Sequence, residues 1–316
     1  MSASLPTLQH IRDAAARIAP YATLTPVLRS DELDAVAGAQ LHFKCENLQR
    51  GGAFKFRGAC NAVWSLSDEE AAHGVVTHSS GNHGNALALA AATRGIPAHV
   101  VVPEGAVRAK LEAIERAGAI LHRCAPTIAA REAKAAQVQQ ATGAIMVHPY
   151  ADARVMAGQG TLVLELLHQC ASLDALVTPI GGGGLSAGCA IAAHGLQPSI
   201  AIYGAEPAGA ADTAQSLARG ARIDSFTPDT MCDGLRAFVG EPNLQALREH
   251  GVSVITVSDE ETVAAMRQLW QALKIVVEVS SATVFAAVLK QRERFAGKRV
   301  GLVLTGGNVD LDALPW

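Results

Sequence analysis

The order of patterns along the chain predicts an α/β fold built on open, largely parallel sheets. Three observations carry this. Short β-rich runs alternate with helical stretches, glycine-rich turns follow several of those runs directly, and the chain has 316 residues at 49% hydrophobic content. A single core stops growing near about 250–300 residues, so the length calls for two packed bodies. In chain order the predicted strands are Val75 to His78, Ala98 to Val102, Ala119 to His122, Ala175 to Ile180, Ile200 to Gly204, Val252 to Val257 and Val300 to Leu304. Between them the pattern predicts helices over Asn85 to Thr93, Ile128 to Ala141, Thr161 to Gln169, Glu260 to Leu273 and Thr283 to Arg294, preceded by one over Arg57 to Leu66. Such alternation marks a parallel sheet, and open sheets bind ligands at the carboxyl ends of their strands. Ser79, Gly181, Glu206 and Thr305 all fall just there. No repeat, low-complexity tract or Pro-rich linker separates two halves, so a second body has to be inserted into the first rather than appended.

Bulk properties narrow the partners. A formal net charge of −3 without a clustered Lys/Arg run argues against nucleic acid or a membrane surface, both of which need local positive charge. The first twenty residues are interrupted by Gln9, His10, Arg12, Asp13 and Arg17, which excludes a signal-peptide h-region there, and no stretch is long enough to span a bilayer. Six cysteines without a CxxC spacing fit reduced thiols in a cytoplasmic protein better than a disulfide or zinc framework.

Four segments carry chemistry. Gly181-Gly182-Gly183-Gly184 lies between an apolar run and a small-residue helix, Leu185 to His194. Four residues without Cβ let successive N–H groups converge, and the following helix adds its positive end, which together make a phosphate cradle. The spacing is neither GxxxxGK[ST] nor GxGxxG, which disfavours a nucleoside triphosphate or a dinucleotide. Lys55 follows Gly51-Gly52. In an apolar, glycine-lined turn a lysine loses hydration, its pKa falls, and the neutral amine can form a Schiff base. Ser79-Ser80-Gly81-Asn82-His83-Gly84 offers hydroxyls, an amide and backbone donors at a helix start, suited to a carboxylate or simply to capping. Thr305-Gly306-Gly307-Asn308 ends the last strand.

These segments, with Lys55-Phe56-Arg57-Gly58-Ala59 first and Thr305-Gly306-Gly307-Asn308-Val309-Asp310 last, resemble in the same order the serine/threonine dehydratase and serine racemase family of fold-type-II pyridoxal 5′-phosphate enzymes, from about Leu24 to Trp316. The resemblance implies a tryptophan synthase β-like fold: two open twisted-sheet domains with the cofactor in the cleft between them. Residues 1–70 and 153–316 would form the larger, cofactor-binding domain, and 71–152 a smaller substrate-binding one inserted in it. It implies that Lys55 holds the cofactor and acts as base, that Phe54 packs near the pyridine ring, and that Asn82 meets its phenolic oxygen. Gly181, Gly182, Gly183, Gly184 and Leu185 would bind the phosphate, and Thr305 the ring nitrogen. A hydroxyl there does not force that nitrogen to stay protonated, which favours elimination or reprotonation at Cα over transamination.

On the substrate side the resemblance implies that Ser79, Ser80, Asn82 and His83 clamp the α-carboxylate. Ser80, where biosynthetic threonine dehydratases carry alanine, is the catalytic proton carrier expected of racemases. Arg131 matches a substrate-side arginine and could meet a distal carboxylate, although a lone helical arginine is more often solvated. Glu206, Ala210 and Asp212 match a divalent-ion site, expected to take Mg²⁺ or else Ca²⁺ or Mn²⁺; the plain alternative is two solvated surface acids. Asp233-Gly234 and Glu278 match supporting positions at the cofactor's rim. The expected reaction is β-elimination from serine, threonine or 3-hydroxyaspartate to a 2-oxo acid and ammonia, with the cofactor phosphate as acid for the departing hydroxide. The stretch from Gly297 to Trp316 looks most like 3-hydroxyaspartate dehydratases. A serine or aspartate-type racemase with dehydratase side activity is the alternative, and a β-replacement transferase is disfavoured because its turn carries threonine where His83 stands. A homodimer is expected by analogy, and no carboxy-terminal regulatory domain.

Overall fold

The computed structural model describes residues 5–170 and 172–316. Among them run ten strands: β1 (Val27–Leu28), β2 (Gln40–Cys45), β3 (Val75–Thr77), β4 (Ala98–Pro103), β5 (Ile120–Cys124), β6 (Ile145–Met146), β7 (Ala175–Pro179), β8 (Ala201–Pro207), β9 (Ser253–Val257) and β10 (Arg299–Leu304). Six form one sheet in the order β1-β2-β10-β7-β8-β9, and four form another in the order β5-β4-β3-β6. Every pairing is parallel except β1 against β2. The smaller sheet takes all its strands from the chain between β2 and β7, so it is an insertion into the larger.

β10 lies between β2 and β7 with helices on both faces. Its residues Val300 to Leu304 are therefore buried without alternation, as a doubly covered parallel strand requires. Phe43, Leu302 and Phe285 pack on one face of this sheet; Leu166, Leu176 and Val303 pack on the other. Val75, Leu87 and Val63 begin the separate core under the smaller sheet.

The seven strands predicted from sequence are all present, and the misses have local causes. β2 was hidden by His42 and Lys44, which break its apolar run. β1 and β6 have two residues each. The helix expected from Thr161 starts at Ala153, because Gly158 and Gly160 masked its first turns. Both glycines are close approaches: a Cβ on Gly158 would lie 2.6 Å from the Arg57 carbonyl oxygen, and one on Gly160 2.7 Å from that of Gly188. The helix expected from Arg57 begins at Lys55, and the one expected from Asn85 begins at Asn82. Helices such as Leu8–Ile18, Asp31–Ala37 and Arg108–Arg116 were not foreseen.

The helix Lys55–Trp64 is pinned by a buried network of charge. Arg57 donates Nε and Nη2 to Glu46 at 2.7 and 2.8 Å, and Nη1 and Nη2 to Glu165 at 2.6 and 2.7 Å. Lys44, fully buried on β2, donates to Glu165 at 2.6 Å and to the Thr25 carbonyl at 2.7 Å. Glu46 follows β2 and Glu165 lies on the helix Ala153–Gln169, so one guanidinium holds three elements together. Its planar fork serves two carboxylates at once, which an ammonium cannot do. Replacing Arg57 by methionine is expected to cost about 3–5 kcal/mol, since Glu46 would be left ionised, buried and unpaired. Arg57→Lys should recover only part of that loss, as read from urea midpoints at unchanged m-value.

Candidate active site

Segments that follow β3 and β6 of the smaller sheet meet segments that follow β2, β7 and β10 of the larger one, through Lys55 on Pro149, Asn308 on Asn82, and Asn243 on Tyr150 and Gly182. Lys55, the first residue of its helix, is half-buried there. Its Nζ donates to the Pro149 carbonyl at 2.9 Å and lies 5.1 Å from the centre of the Phe54 ring. Burial brings its amine down to about 8, against the charge of Glu278, which favours the ammonium. This is the lysine that the sequence singled out, with the lowered basicity its setting implied.

Facing it, β7 ends in the four glycines. Gly183 takes φ +83° and caps the helix Gly184–Leu196, whose first-turn N–H groups the helical ladder leaves unpaired. The loop cannot carry side chains: a Cβ on Gly182 would come within 2.3 Å of the Tyr150 ring, one on Gly184 within 2.6 Å of the Tyr150 carbonyl oxygen, and one on Gly181 within 2.8 Å of the Leu235 Cα. Asn243 ties the same segments by donating its side-chain amide to the carbonyls of Tyr150 and Gly182. This backbone-only cradle beside a helix N-terminus and a low-pKa amine fits a phosphorylated aldehyde.

Thr305, buried at the end of β10, sits 3.0 Å from the Ser281 hydroxyl, which in turn donates to the Gly306 carbonyl at 2.7 Å. The Phe54 N–H donates to the Thr305 carbonyl at 2.9 Å, which couples the Lys55 helix to the last strand. Asn82 is held at both ends. Its Nδ2 donates to the two Glu278 oxygens at 3.1 and 3.2 Å, while its Oδ1 accepts from Asn308 at 2.9 Å. Burial and the charge of Asp233 push the Glu278 carboxyl up to about 7. Asp233 itself pairs with Lys110 across the cleft.

The Ser79 to Gly84 turn opens the helix Asn82–Arg94, with Gly81 as its cap. Ser79 and Ser80 are half-buried, and the Ser80 hydroxyl has no partner among the described residues. The His83 side chain is buried. Its ring points into the core, with Nε2 at 3.3 Å from the Val147 carbonyl, because the second residue of this helix faces the sheet. A Cβ on Gly84 would lie 2.0 Å from the Ser79 carbonyl oxygen, so the tightness of the turn demands glycine.

Arg131, on the helix Ile128–Thr142, is half-buried, and its Nε is buried without a partner among the described residues. Its charge disfavours the His78 imidazolium and favours the Tyr150 phenolate, a smaller effect on either group than burial. Glu206 and Asp212 are likewise buried, not solvated. Glu206 accepts the N–H groups of Thr213 and Ala214 at 2.9 Å each; Asp212 accepts that of Val239 at 2.8 Å through one oxygen, and the other is buried and unpartnered. Burial raises the two carboxyls to about 7 and about 6. An orphaned carboxylate oxygen beside a second buried acid and the buried Ala210 fits a hard divalent cation.

Sequence reasoning missed His78, His148 and Tyr150. Isolated aromatic residues near strand ends gave no periodic or spacing signal, although Val147-His148-Pro149 follows a short apolar run just as the recognised motifs do.

A sequence profile described as pyridoxal-phosphate dependent enzyme matches residues 18–306. The chain is 47% identical over 312 residues to the beta-hydroxyaspartate dehydratase of Paracoccus denitrificans (strain Pd 1222), covering 99% of each chain. It is 48% identical over 309 residues to a serine racemase of Arabidopsis thaliana, covering 96% of this chain and 93% of that one. Among solved structures, maize serine racemase matches with a TM-score of 0.96 at 44% identity, over 98% of this chain and 95% of that chain.

In the cofactor-free protein, the reaction of Lys55 with an amine-selective reagent should titrate with a midpoint near 8. Glu278→Gln removes a charge that favours the ammonium, so it should move that midpoint lower; a midpoint that rises would contradict the assignment.

Proposed function

The chain belongs to the pyridoxal-phosphate dependent enzyme family, and from that premise we propose that it is an ammonia-lyase that eliminates water from a 3-hydroxy amino acid, with 3-hydroxyaspartate as the preferred substrate. The observation that carries the substrate choice is the unpartnered, buried Nε of Arg131 beside the cleft: a guanidinium so placed is suited to a second carboxylate, which serine and threonine lack. The 47% identical Paracoccus relative bears the name of that activity.

Pyridoxal phosphate, when bound, supplies an aldehyde for the substrate amine and a ring that accepts the electron pair left at Cα. Phe54, Asn82, the Gly181 to Leu185 loop and Thr305 would hold it, and Lys55 would anchor it. Once the substrate amine takes its place, the Lys55 ε-nitrogen is free to remove the Cα proton, and an amine of pKa about 8 is matched to that work near neutrality. The N–H groups at the start of the helix Asn82–Arg94, with Ser79 and Ser80, orient the α-carboxylate. The Thr305 hydroxyl, shared with Ser281, leaves the ring nitrogen without a carboxylate partner, which supports elimination over transamination.

One observation favours racemisation as a second activity: the Ser80 hydroxyl is uncommitted and stands in the turn that would hold the Cα substituents. We assign Glu206, Asp212 and the Ala210 carbonyl to a structural divalent cation, Mg²⁺ in the first instance. The protein is read as cytoplasmic and homodimeric; its described cysteines are all free, and no described helix is long and apolar enough to cross a membrane. Residues 1–70 with 153–316 and residues 71–152 are assigned as its two domains.

Comparing kcat/KM for serine, threonine and the 3-hydroxyaspartate stereoisomers tests the substrate. Arg131→Ala should lower kcat/KM for 3-hydroxyaspartate by about ten- to a hundredfold, the loss of a charge-assisted pair worth about 1.5–3 kcal/mol, and leave serine within a few fold. An enzyme that prefers serine and keeps that preference in Arg131→Ala refutes it. For the cation, Mg²⁺ added to chelator-treated protein should raise Tm, and Asp212→Asn should abolish the increment.

A further inference from the structure

His148 directly precedes Pro149, whose carbonyl accepts from Lys55, and the elimination as derived so far gives it nothing to do. Its ring meets His78 edge-on at 5.2 Å between centroids and Tyr150 at 4.6 Å. Its Nδ1 accepts the N–H of Ala151 at 3.0 Å and that of Tyr150 at 3.3 Å. Those amides directly follow Pro149, whose carbonyl accepts from Lys55 at 2.9 Å, so one short backbone segment fixes the imidazole relative to the amine.

Two donors aimed at Nδ1 dictate the tautomer. The ring carries its single proton on Nε2, and a second proton would have to displace two N–H groups from Nδ1. Burial, His78 and the Lys55 amine hold the imidazolium form down to about 4; Asp152 acts the other way but is committed to Arg154 at 2.6 Å. Nε2 has no partner among the described residues, and the ring is half-buried at the cleft. The site therefore keeps a neutral N–H donor beside Lys55. A carboxylate would be served better by a cation, and the helix N-terminus and Arg131 already provide for two of those. An oxygen that gains charge only as its bond to carbon breaks is the group for which a neutral, fixed donor suits.

We propose that His148 donates a hydrogen bond through Nε2 to the β-oxygen of the substrate and stabilises it as it departs. This rests on the elimination reading above. In the step, the Cβ–O bond breaks with its electron pair going to oxygen, and the pair left at Cα forms the Cα=Cβ bond. The oxygen leaves as water with the proton that Lys55 took from Cα, which returns the lysine to its starting state, so no co-reactant is needed. His148 keeps its Nε2 proton throughout.

The test uses the holoenzyme with L-serine or 3-hydroxyaspartate and with β-chloro-L-alanine, whose chloride leaves without a proton or a strong donor. His148→Ala should lower kcat for the hydroxy substrate about a hundredfold, the usual effect of one lost donor at a developing oxyanion. The chloro substrate should lose less than about fivefold, with Cα–H exchange in deuterated water retained. His148→Gln, which can place an N–H at similar reach, should restore part of the hydroxy-substrate rate. Equal losses on both substrates overturn the inference, as does a His148 ring that titrates between pH 5.5 and 9 by ¹⁵N NMR of the cofactor-free protein. Wild-type enzyme that consumes β-chloro-L-alanine but no 3-hydroxy amino acid instead refutes the elimination reading and the inference with it.

Discussion

An ε-amine that has to act as nucleophile and base near neutral pH must lose most of its water without losing access to its substrate. Lys55, the residue proposed for that work, stands at the first position of a helix that is buried from Phe56 to Val63. The amine lies in the cleft on the Pro149 carbonyl, while Phe56, Ala59 and Val63 on the same helix are sealed in the core of the smaller sheet. Such a helix could slide or tilt, and a displacement of about 1 Å is enough to ruin catalytic geometry. The Arg57 network prevents that, since its two carboxylate partners come from the larger sheet and from the long helix behind it. Two residues of one turn thus divide the labour: one is kept weakly basic, the other permanently charged.

The carboxyls around the cleft follow the same logic of burial. Glu278 lies close enough to favour the Lys55 ammonium but is itself disfavoured as an anion, by burial and by Asp233. Lys110 from the inserted body pairs with Asp233, and Asn82 from the same body donates to Glu278. The contacts that join the two sheets across the cleft are therefore the ones that set its electrostatics.

What the sequence made legible was the part of the site built from backbone. Glycines must stand wherever a Cβ would strike a neighbour, so Gly181 to Gly184 and Gly84 announce themselves without any fold in hand, as does a lysine set among them. Side chains that act from a distance were harder to read. Glu206 and Asp212 could have been ordinary surface acids until the fold buried them, and Arg131 differs from any helical arginine only in what its helix packs against. His83 sits inside the motif, and its burial at the second position of the helix Asn82–Arg94 could be known only from the fold. β2 stayed hidden because Lys44, the charge that breaks its apolar run, is buried by partners 121 and 125 residues away in sequence.

The histidines sharpen this point. Burial pushes the imidazoles of His83, His78 and His148 toward the neutral form, and the Lys55 amine acts the same way on His83 and His148. A cationic imidazole beside Lys55 would lower the amine's proton affinity further and compete with it for the substrate's carboxylates. Neutral rings do neither. His148 packs edge to face with both His78 and Tyr150. Two groups beside these rings titrate near neutrality, the Lys55 amine at about 8 and the Glu278 carboxyl at about 7, and each is moved there first by burial.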